Sequence, residues 1–71
     1  MRTEIITIDG IPITLTDFDV PMMHEDWHKA EALGLVFAWY CHIGPDYWDD
    51  CMTFCAPEHK EAVQGYLSRS Y

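Results

Sequence analysis

The chain has 71 residues, enough for one small domain and too few for two, so residues 1–71 are expected to form a single domain. Hydrophobic residues make up 49% of the sequence and aromatic residues 14%, which excludes intrinsic disorder. Twelve acidic residues against four basic ones give a formal net charge of −8. Because phosphates and anionic lipids are bound through Lys and Arg, direct binding to nucleic acid or to a membrane surface is not expected.

The sequence also bears on cellular location. Residues 1–5 contain one base and no apolar segment follows them, so no signal peptide is expected. The longest apolar stretch, residues 32–41, is too short to span a bilayer. Three cysteines, an odd number in a chain without an export signal, indicate reduced thiols and a cytoplasmic protein.

The N-terminus predicts a β-hairpin. Strands at residues 4–8 and 11–15 flank Asp9-Gly10, the pair that best supplies the positive φ angles of a two-residue type I′ turn. The resulting register pairs Ile8 with Ile11 and Ile6 with Ile13 on one apolar face. Pro12 falls where its missing N–H points away from the first strand, which predicts that the second strand is a sheet edge.

A helix is predicted next, with Asp19 as its N-cap, Pro21 in its first turn and Gly34 as its stop. Its apolar stripe consists of Met23, Trp27, Ala30 and Leu33. Residues 35–43 and 47–55 then read as a second hairpin, whose core side is ambiguous because neither face is wholly polar. A final helix begins at Pro57.

These elements predict a small α+β domain of order ββαββα, with a four-stranded antiparallel sheet and two helices packed on one face. The predicted core consists of Ile6, Ile8, Ile13, Leu15, Met23, Trp27, Leu33, Phe37, Trp39, Val63, Tyr66 and Leu67. Such a sheet leaves its other face open, with Ile5, Val36, Tyr40 and Tyr47 expected there. An open apolar face favours a homodimer or a bound partner.

The segment His24-Glu25-Asp26-Trp27-His28 matches H-E-x-x-H on the predicted helix. Over these five residues it resembles the zinc-protease motif, which implies that His24 and His28 would bind Zn²⁺ and Glu25 would activate its water. No third-ligand pattern follows, and a domain of this size has little room for a peptide cleft. Zinc binding by His24 and His28 is therefore kept as an alternative, and no enzyme is expected.

Other chemistry receives less support from the sequence. Cys51, Cys55 and His59, with Cys41 or His42, have spacings that zinc sites allow. However, two cysteines four residues apart on a strand are separated by about 13 Å, which is too far for one ion. The neighbours Cys41 and His42 point to opposite faces of a strand and cannot form a nucleophilic pair. Without a glycine-rich phosphate loop, no cofactor is expected.

The remaining signal combines acidic and aromatic residues. One segment places carboxylates beside large aromatic rings, and further carboxylates lie on the first predicted helix; these predicted partner-binding residues are Asp46, Tyr47, Trp48, Asp49, Asp50, Glu25 and Asp26. Aromatic residues are common interface anchors, and carboxylates around them select a basic partner. The charges would equally keep a small domain soluble, and an adaptor that binds through apolar surface is a further alternative.

In size, charge and aromatic content the chain resembles the small acidic proteins that phages make against host defence, such as anti-CRISPR and anti-restriction proteins. No single motif carries this resemblance. It implies a viral inhibitor acting in the host cytoplasm, in which carboxylates imitate duplex phosphates. The function expected from the sequence is therefore non-enzymatic inhibition of a basic, nucleic-acid-binding protein by occupation of its nucleic-acid site.

Overall fold

The computed structural model describes residues 2–19, 24–42 and 50–70, apart from the side chain of Ser70. Its elements are β1 (Arg2–Ile8), β2 (Ile11–Asp19), α1 (His24–Ala32), β3 (Val36–Cys41), β4 (Cys51–Cys55) and α2 (Lys60–Ser70). A short 3-10 turn, Pro57–His59, leads into α2. The strands form one antiparallel sheet of order β1-β2-β4-β3. The α+β class, the order ββαββα and the four-stranded sheet are confirmed.

The N-terminal hairpin has the predicted turn and register. Asp9 and Gly10 have φ angles of 51° and 79°, as a two-residue turn with two left-handed positions requires. Ile8 pairs with Ile11, and the same register pairs Ile6 with Ile13 and Thr7 with Pro12. The Asp-Gly turn therefore sets which residues of β1 and β2 share a face.

β2 is longer than predicted and is not an edge strand. Its second half, residues 16–19, pairs with β4, whereas the half that contains Pro12 pairs with β1 alone. Pro12 thus lies where a missing N–H leaves no ladder hydrogen bond unmade. Asp19 is the last residue of β2 and forms an ion pair with Arg2 at 2.8 Å. Its predicted role as an N-cap involves residues 20–23, which lie outside the described residues. The predicted first turn at Pro21 lies outside the described residues.

The predicted stop of α1 at Gly34 is confirmed. The Gly34 N–H donates to the Glu31 carbonyl at 2.9 Å, and the Leu35 N–H donates to the Ala30 carbonyl at 3.0 Å. This pair of bonds is the Schellman arrangement, and it requires a left-handed residue at Gly34, whose φ is 76°. The turn reverses the chain so that β3 begins at Val36.

The two helices pack on opposite faces of the sheet, which corrects the prediction of a single covered face. Leu15 of β2 lies in one buried cluster and Phe18, three residues later, lies in the other. Because side chains alternate along a strand, these two residues point to opposite faces. Residues of β4 divide in the same way, with Cys55 under α2 and Phe54 under α1.

The cluster under α2 is aliphatic, and the cluster under α1 is aromatic. We call the first the aliphatic cluster, formed by Ile13, Leu15, Ala38, Cys55, Val63 and Leu67, with Ile6, Ile8, Trp39 and Tyr66 packed against it. We call the second the aromatic cluster, formed by Phe18, Ala30 and Phe54, with Leu35, Phe37 and Met52 packed against it. Trp27 contacts the aromatic cluster through the Phe54 ring.

Most predicted core residues belong to these clusters, with two departures. Leu33 is 64% exposed because it lies in the turn after α1, and Trp27 is 39% exposed at the rim of the aromatic cluster. Met23 lies outside the described residues, as does Tyr47 of the expected open face. The other expected surface residues include Ile5, which is 71% exposed, and Tyr40, which is 47% exposed. Val36 is half-buried.

The second hairpin pairs β3 with β4, with a bulge between Phe37 and Trp39. The bulge places Ala38 and Trp39 on the side of the aliphatic cluster, and the paired residues Tyr40 and Met52 on the side of α1. The predicted turn and strand ends at residues 43–49 lie outside the described residues. Among the described helices, none is long and apolar enough to cross a bilayer.

Candidate functional site

The predicted partner-binding residues fall into three groups. Asp46, Tyr47, Trp48 and Asp49 lie outside the described residues. In the first turn of α1, Glu25 is exposed and Asp26 is half-buried. Asp50, immediately before β4, is only 1% exposed, so its carboxylate does not face solvent. The structure therefore removes Asp50 from the set of exposed carboxylates that would contact a partner.

Asp50 instead contacts two side chains of the neighbouring strand. The Tyr40 hydroxyl donates a short hydrogen bond to the Asp50 carboxylate. His42 Nδ1 lies 2.8 Å from Asp50 Oδ1 and 2.9 Å from Asp50 Oδ2. We call these three residues the Asp50 cluster. A buried carboxylate is costly unless it is hydrogen-bonded, and these two contacts offset that cost.

The sheet register brings the Asp50 cluster together. Cys41 is paired with Cys51, so His42 and Asp50 occupy the next opposed positions beyond the last pair of the ladder. Tyr40 lies two residues before His42 and therefore on the same side of the sheet, the side covered by α1. The cluster thus links residues 42 and 50, the described residues on either side of residues 43–49.

The two ring nitrogens of His42 have different surroundings. If Asp50 is ionised, its oxygens only accept hydrogen bonds, and His42 Nδ1 is then the donor at this contact. Nε2 is then the ring nitrogen directed to other partners, and the His42 side chain is 62% exposed. The pKa of Tyr40 is raised by its hydrogen bond to Asp50, with smaller contributions from desolvation and the Asp50 charge. Tyr40 therefore remains a neutral hydrogen-bond donor.

Tyr40 and His42 are the site residues that sequence reasoning missed. The available signal was the alternation of β3 and β4, which places Tyr40, His42 and Asp50 on one side once the register of the hairpin is known. The sequence alone does not give that register because residues 43–49 allow several turn lengths. The cluster therefore depends on long-range pairing.

Cys41, Cys51 and Cys55 are buried free cysteines. Cys41 and Cys51 face each other across β3 and β4, and both are buried. Burial raises the pKa of the Cys51 thiol to about 11, with further contributions from Asp17 and Cys41, so this thiol is protonated and unreactive near neutral pH. Among the described residues, no three potential ligands of the His, Cys, Asp or Glu type are close enough to share an ion.

His24 and His28 of the H-E-x-x-H segment are both exposed on α1. Their ring centroids are 4.3 Å apart and the rings meet edge to face. The helix therefore brings the two imidazoles together as the motif implies. The third protein ligand of a catalytic zinc centre is lacking within the described part of the chain.

The described residues enclose no pocket. Comparison with protein-family profiles, with curated proteins and with solved structures gives no match. The geometry and charge of the chain's own residues are therefore the basis for a functional proposal.

Proposed function

We propose that this protein is a non-enzymatic inhibitor that binds a basic, nucleic-acid-handling protein and occupies its nucleic-acid site. Its net charge of −8 within 71 residues supports this class of partner, since clustered Lys and Arg are what such proteins present to phosphate. The proposal corresponds to a phage-encoded counter-defence protein of the anti-CRISPR or anti-restriction type that acts in the host cytoplasm.

The observation that carries the proposal is the position of the Asp50 cluster beside an acidic and aromatic segment. Residues 46–49 contain two aspartates, a tyrosine and a tryptophan, and they directly precede Asp50. Asp50 in turn contacts Tyr40 and His42 on β3. His42 and Asp50, the described residues on either side of residues 43–49, are therefore held against each other at the end of the β3–β4 ladder.

Each group has a distinct part in the proposed contact. Asp46 and Asp49 contact Lys and Arg side chains that would otherwise hold phosphate, and they accelerate the encounter with the partner. Tyr47 and Trp48 supply apolar contact area at low conformational cost. Glu25 on α1 adds an exposed carboxylate. Asp50 is buried and held by Tyr40 and His42, so it does not itself contact the partner.

The test begins with affinity capture from bacterial lysate using the tagged protein. Bound proteins are eluted with salt or displaced with duplex DNA or RNA, and are then identified by mass spectrometry. A basic nucleic-acid-binding protein released by either treatment is the expected result. Binding that survives high salt and is unaffected by nucleic acid would contradict the proposal and favour an adaptor with an apolar interface.

Two double variants then test which carboxylates matter. Asp46→Asn with Asp49→Asn should slow association with the captured protein by about tenfold at low ionic strength and reduce its salt dependence. The matched control is Glu58→Gln with Glu61→Gln, which changes the net charge equally at two exposed positions before and within α2. Equal association rates for both double variants would show that total charge, and not residues 46–49, controls binding.

A further inference from the structure

α1 carries two exposed histidines whose rings lie close together. His24 and His28 are one helical turn apart, both are exposed, and their ring centroids are separated by 4.3 Å. Residues at positions i and i+4 lie on the same face of a helix. Each imidazole can therefore turn one nitrogen toward a common point beside the helix.

We propose that His24 and His28 form a two-histidine surface site for a divalent transition metal of the Ni²⁺, Cu²⁺ and Zn²⁺ group. Imidazole nitrogen is a ligand that these ions share, whereas Mg²⁺ and Ca²⁺ require oxygen. Water would complete the coordination shell, since no third protein ligand lies close enough among the described residues. The site goes beyond the proposed inhibition because it requires neither a partner nor a reaction.

The local charges favour a cation at this position. The N-terminus of α1 carries the positive end of the helix dipole, equivalent to about half an elementary charge, which opposes metal binding. Glu25 and Asp26 lie in the same first turn and together carry two full negative charges. The carboxylates therefore outweigh the dipole, and the strongly acidic chain adds to the attraction.

A metal ion at this site would link the first and second turns of α1. Because the two imidazoles are held one turn apart only in the helix, the ion would bind the folded protein in preference to the unfolded chain. Binding should therefore raise the melting temperature. It should do so without changing the aliphatic cluster, which packs under the other helix.

The test is isothermal titration of the purified protein with NiCl₂, alongside thermal unfolding with and without the metal. Ni²⁺ is used because it prefers nitrogen ligands and, unlike Cu²⁺, does not readily oxidise thiols. The wild-type protein should bind one ion, and its melting temperature should rise by about 4 °C or more at several times the Kd. His24→Ala and His28→Ala should each weaken binding at least about tenfold and reduce the thermal shift to about a quarter or less at the same NiCl₂ concentration.

His59→Ala serves as the control. It should bind Ni²⁺ as the wild type does, because His59 does not belong to the pair. Circular dichroism of His24→Ala and His28→Ala should show unchanged helix content, since both side chains are exposed. Unchanged binding in His24→Ala and His28→Ala, or an equal loss in His59→Ala, would overturn the proposal. Neither result would bear on partner inhibition, since the assay contains no partner.

Discussion

The two sides of the sheet are stabilised by different means. On the α2 side, Val63 and Leu67 are buried among aliphatic residues. On the α1 side, the helix contributes only Ala30 to full burial, and Trp27 covers the edge of the aromatic cluster while remaining partly exposed. α2 is therefore held by buried side chains, whereas α1 is held largely by the partly exposed Trp27 at the edge of the aromatic cluster.

This difference separates the residues that stabilise the fold from those that are candidates for function. Tyr40, His42 and Asp50 all lie on the α1 side of the sheet, and the paired histidines are on α1 itself. A helix that buries a single small residue leaves most of its surface to polar groups. The α1 side can therefore carry binding residues while the α2 side provides a closed core.

The largest expected effect tests whether the aromatic cluster is nevertheless essential. The Phe54 ring contacts the rings of Phe18, Trp27 and Phe37 at centroid distances of 5.4, 5.2 and 5.9 Å. Phe54→Ala should lower the free energy of unfolding by about 3–5 kcal/mol, through lost burial and a cavity. Urea denaturation followed by tryptophan fluorescence measures this loss.

The comparison variant on the other side is Leu67→Ala, which removes a buried side chain of α2 and should cost about 2–4 kcal/mol. Phe54→Leu provides a measurable reference if Phe54→Ala does not fold, since it retains most of the apolar volume. If Leu67→Ala lowered the free energy of unfolding clearly more than Phe54→Ala, the aromatic cluster would not contribute more to stability than the aliphatic cluster.

The second prediction concerns the buried carboxylate of the Asp50 cluster. Asp50→Asn should lower the free energy of unfolding by about 2 kcal/mol, because a charged acceptor shared by Tyr40 and His42 becomes neutral. The same variant should lower the pKa of Tyr40 toward its ordinary value, because Asp50 is the main cause of its elevation. Absorbance of tyrosinate during alkaline titration measures that change.

A control for the Asp50 variant lies on the opposite face of the sheet. Asp17 accepts a hydrogen bond of 2.6 Å from the Thr53 hydroxyl and is only half-buried. Asp17→Asn should cost about 1 kcal/mol and leave the tyrosine titration unchanged. If both aspartates gave the same loss of stability and the same titration curves, the Asp50 cluster would have no special role.

The third prediction is an alkaline loss of stability caused by Cys51. Its pKa is about 11 in the folded protein against the ordinary value of 9.0, so between these values the unfolded chain releases a proton that the folded protein retains. Stability is therefore complete below pH 9 and falls as the pH rises toward 11, by up to about 2 kcal/mol. Urea denaturation at a series of pH values measures the slope.

Cys51→Ala is the variant that isolates this effect. It should lower stability at neutral pH through lost packing, but its stability should decline less steeply between pH 9 and pH 11. Tyr40 titrates in both proteins and therefore cancels in the comparison. Identical slopes for wild type and Cys51→Ala would mean that burial does not shift the thiol titration.

Local signals predicted much of the fold. Asp9-Gly10 specifies the first hairpin because few residue pairs accept two positive φ angles. Gly34 ends α1 because glycine accepts the single positive φ angle that this turn requires. The extension of β2 to Asp19 was not predicted, because an aspartate before a helical stretch has the same sequence pattern whether or not it also ends a strand. The pairing of residues 16–19 of β2 with β4 shows this extension.

The candidate site was less predictable than the fold. The sequence marks Asp50 as one of a run of acidic residues, and nothing local separates it from Asp49. Its burial follows from the position opposite His42 at the end of the β3–β4 ladder. The His24 and His28 pair, by contrast, was predicted directly, since helical periodicity alone brings residues four apart onto one face.

The sequence by itself determined the order of the elements, the register of the first hairpin and the pairing of the two α1 histidines, since each depends on residues close in the chain. Tertiary structure decided which faces are covered. β4 has apolar residues on both sides, so alternation does not select a core face, and only its central position between β2 and β3 places Phe54 under α1 and Cys55 under α2. The burial of Asp50 also depends on strand pairing, because its partners are Tyr40 on the neighbouring strand β3 and His42, the residue that follows β3.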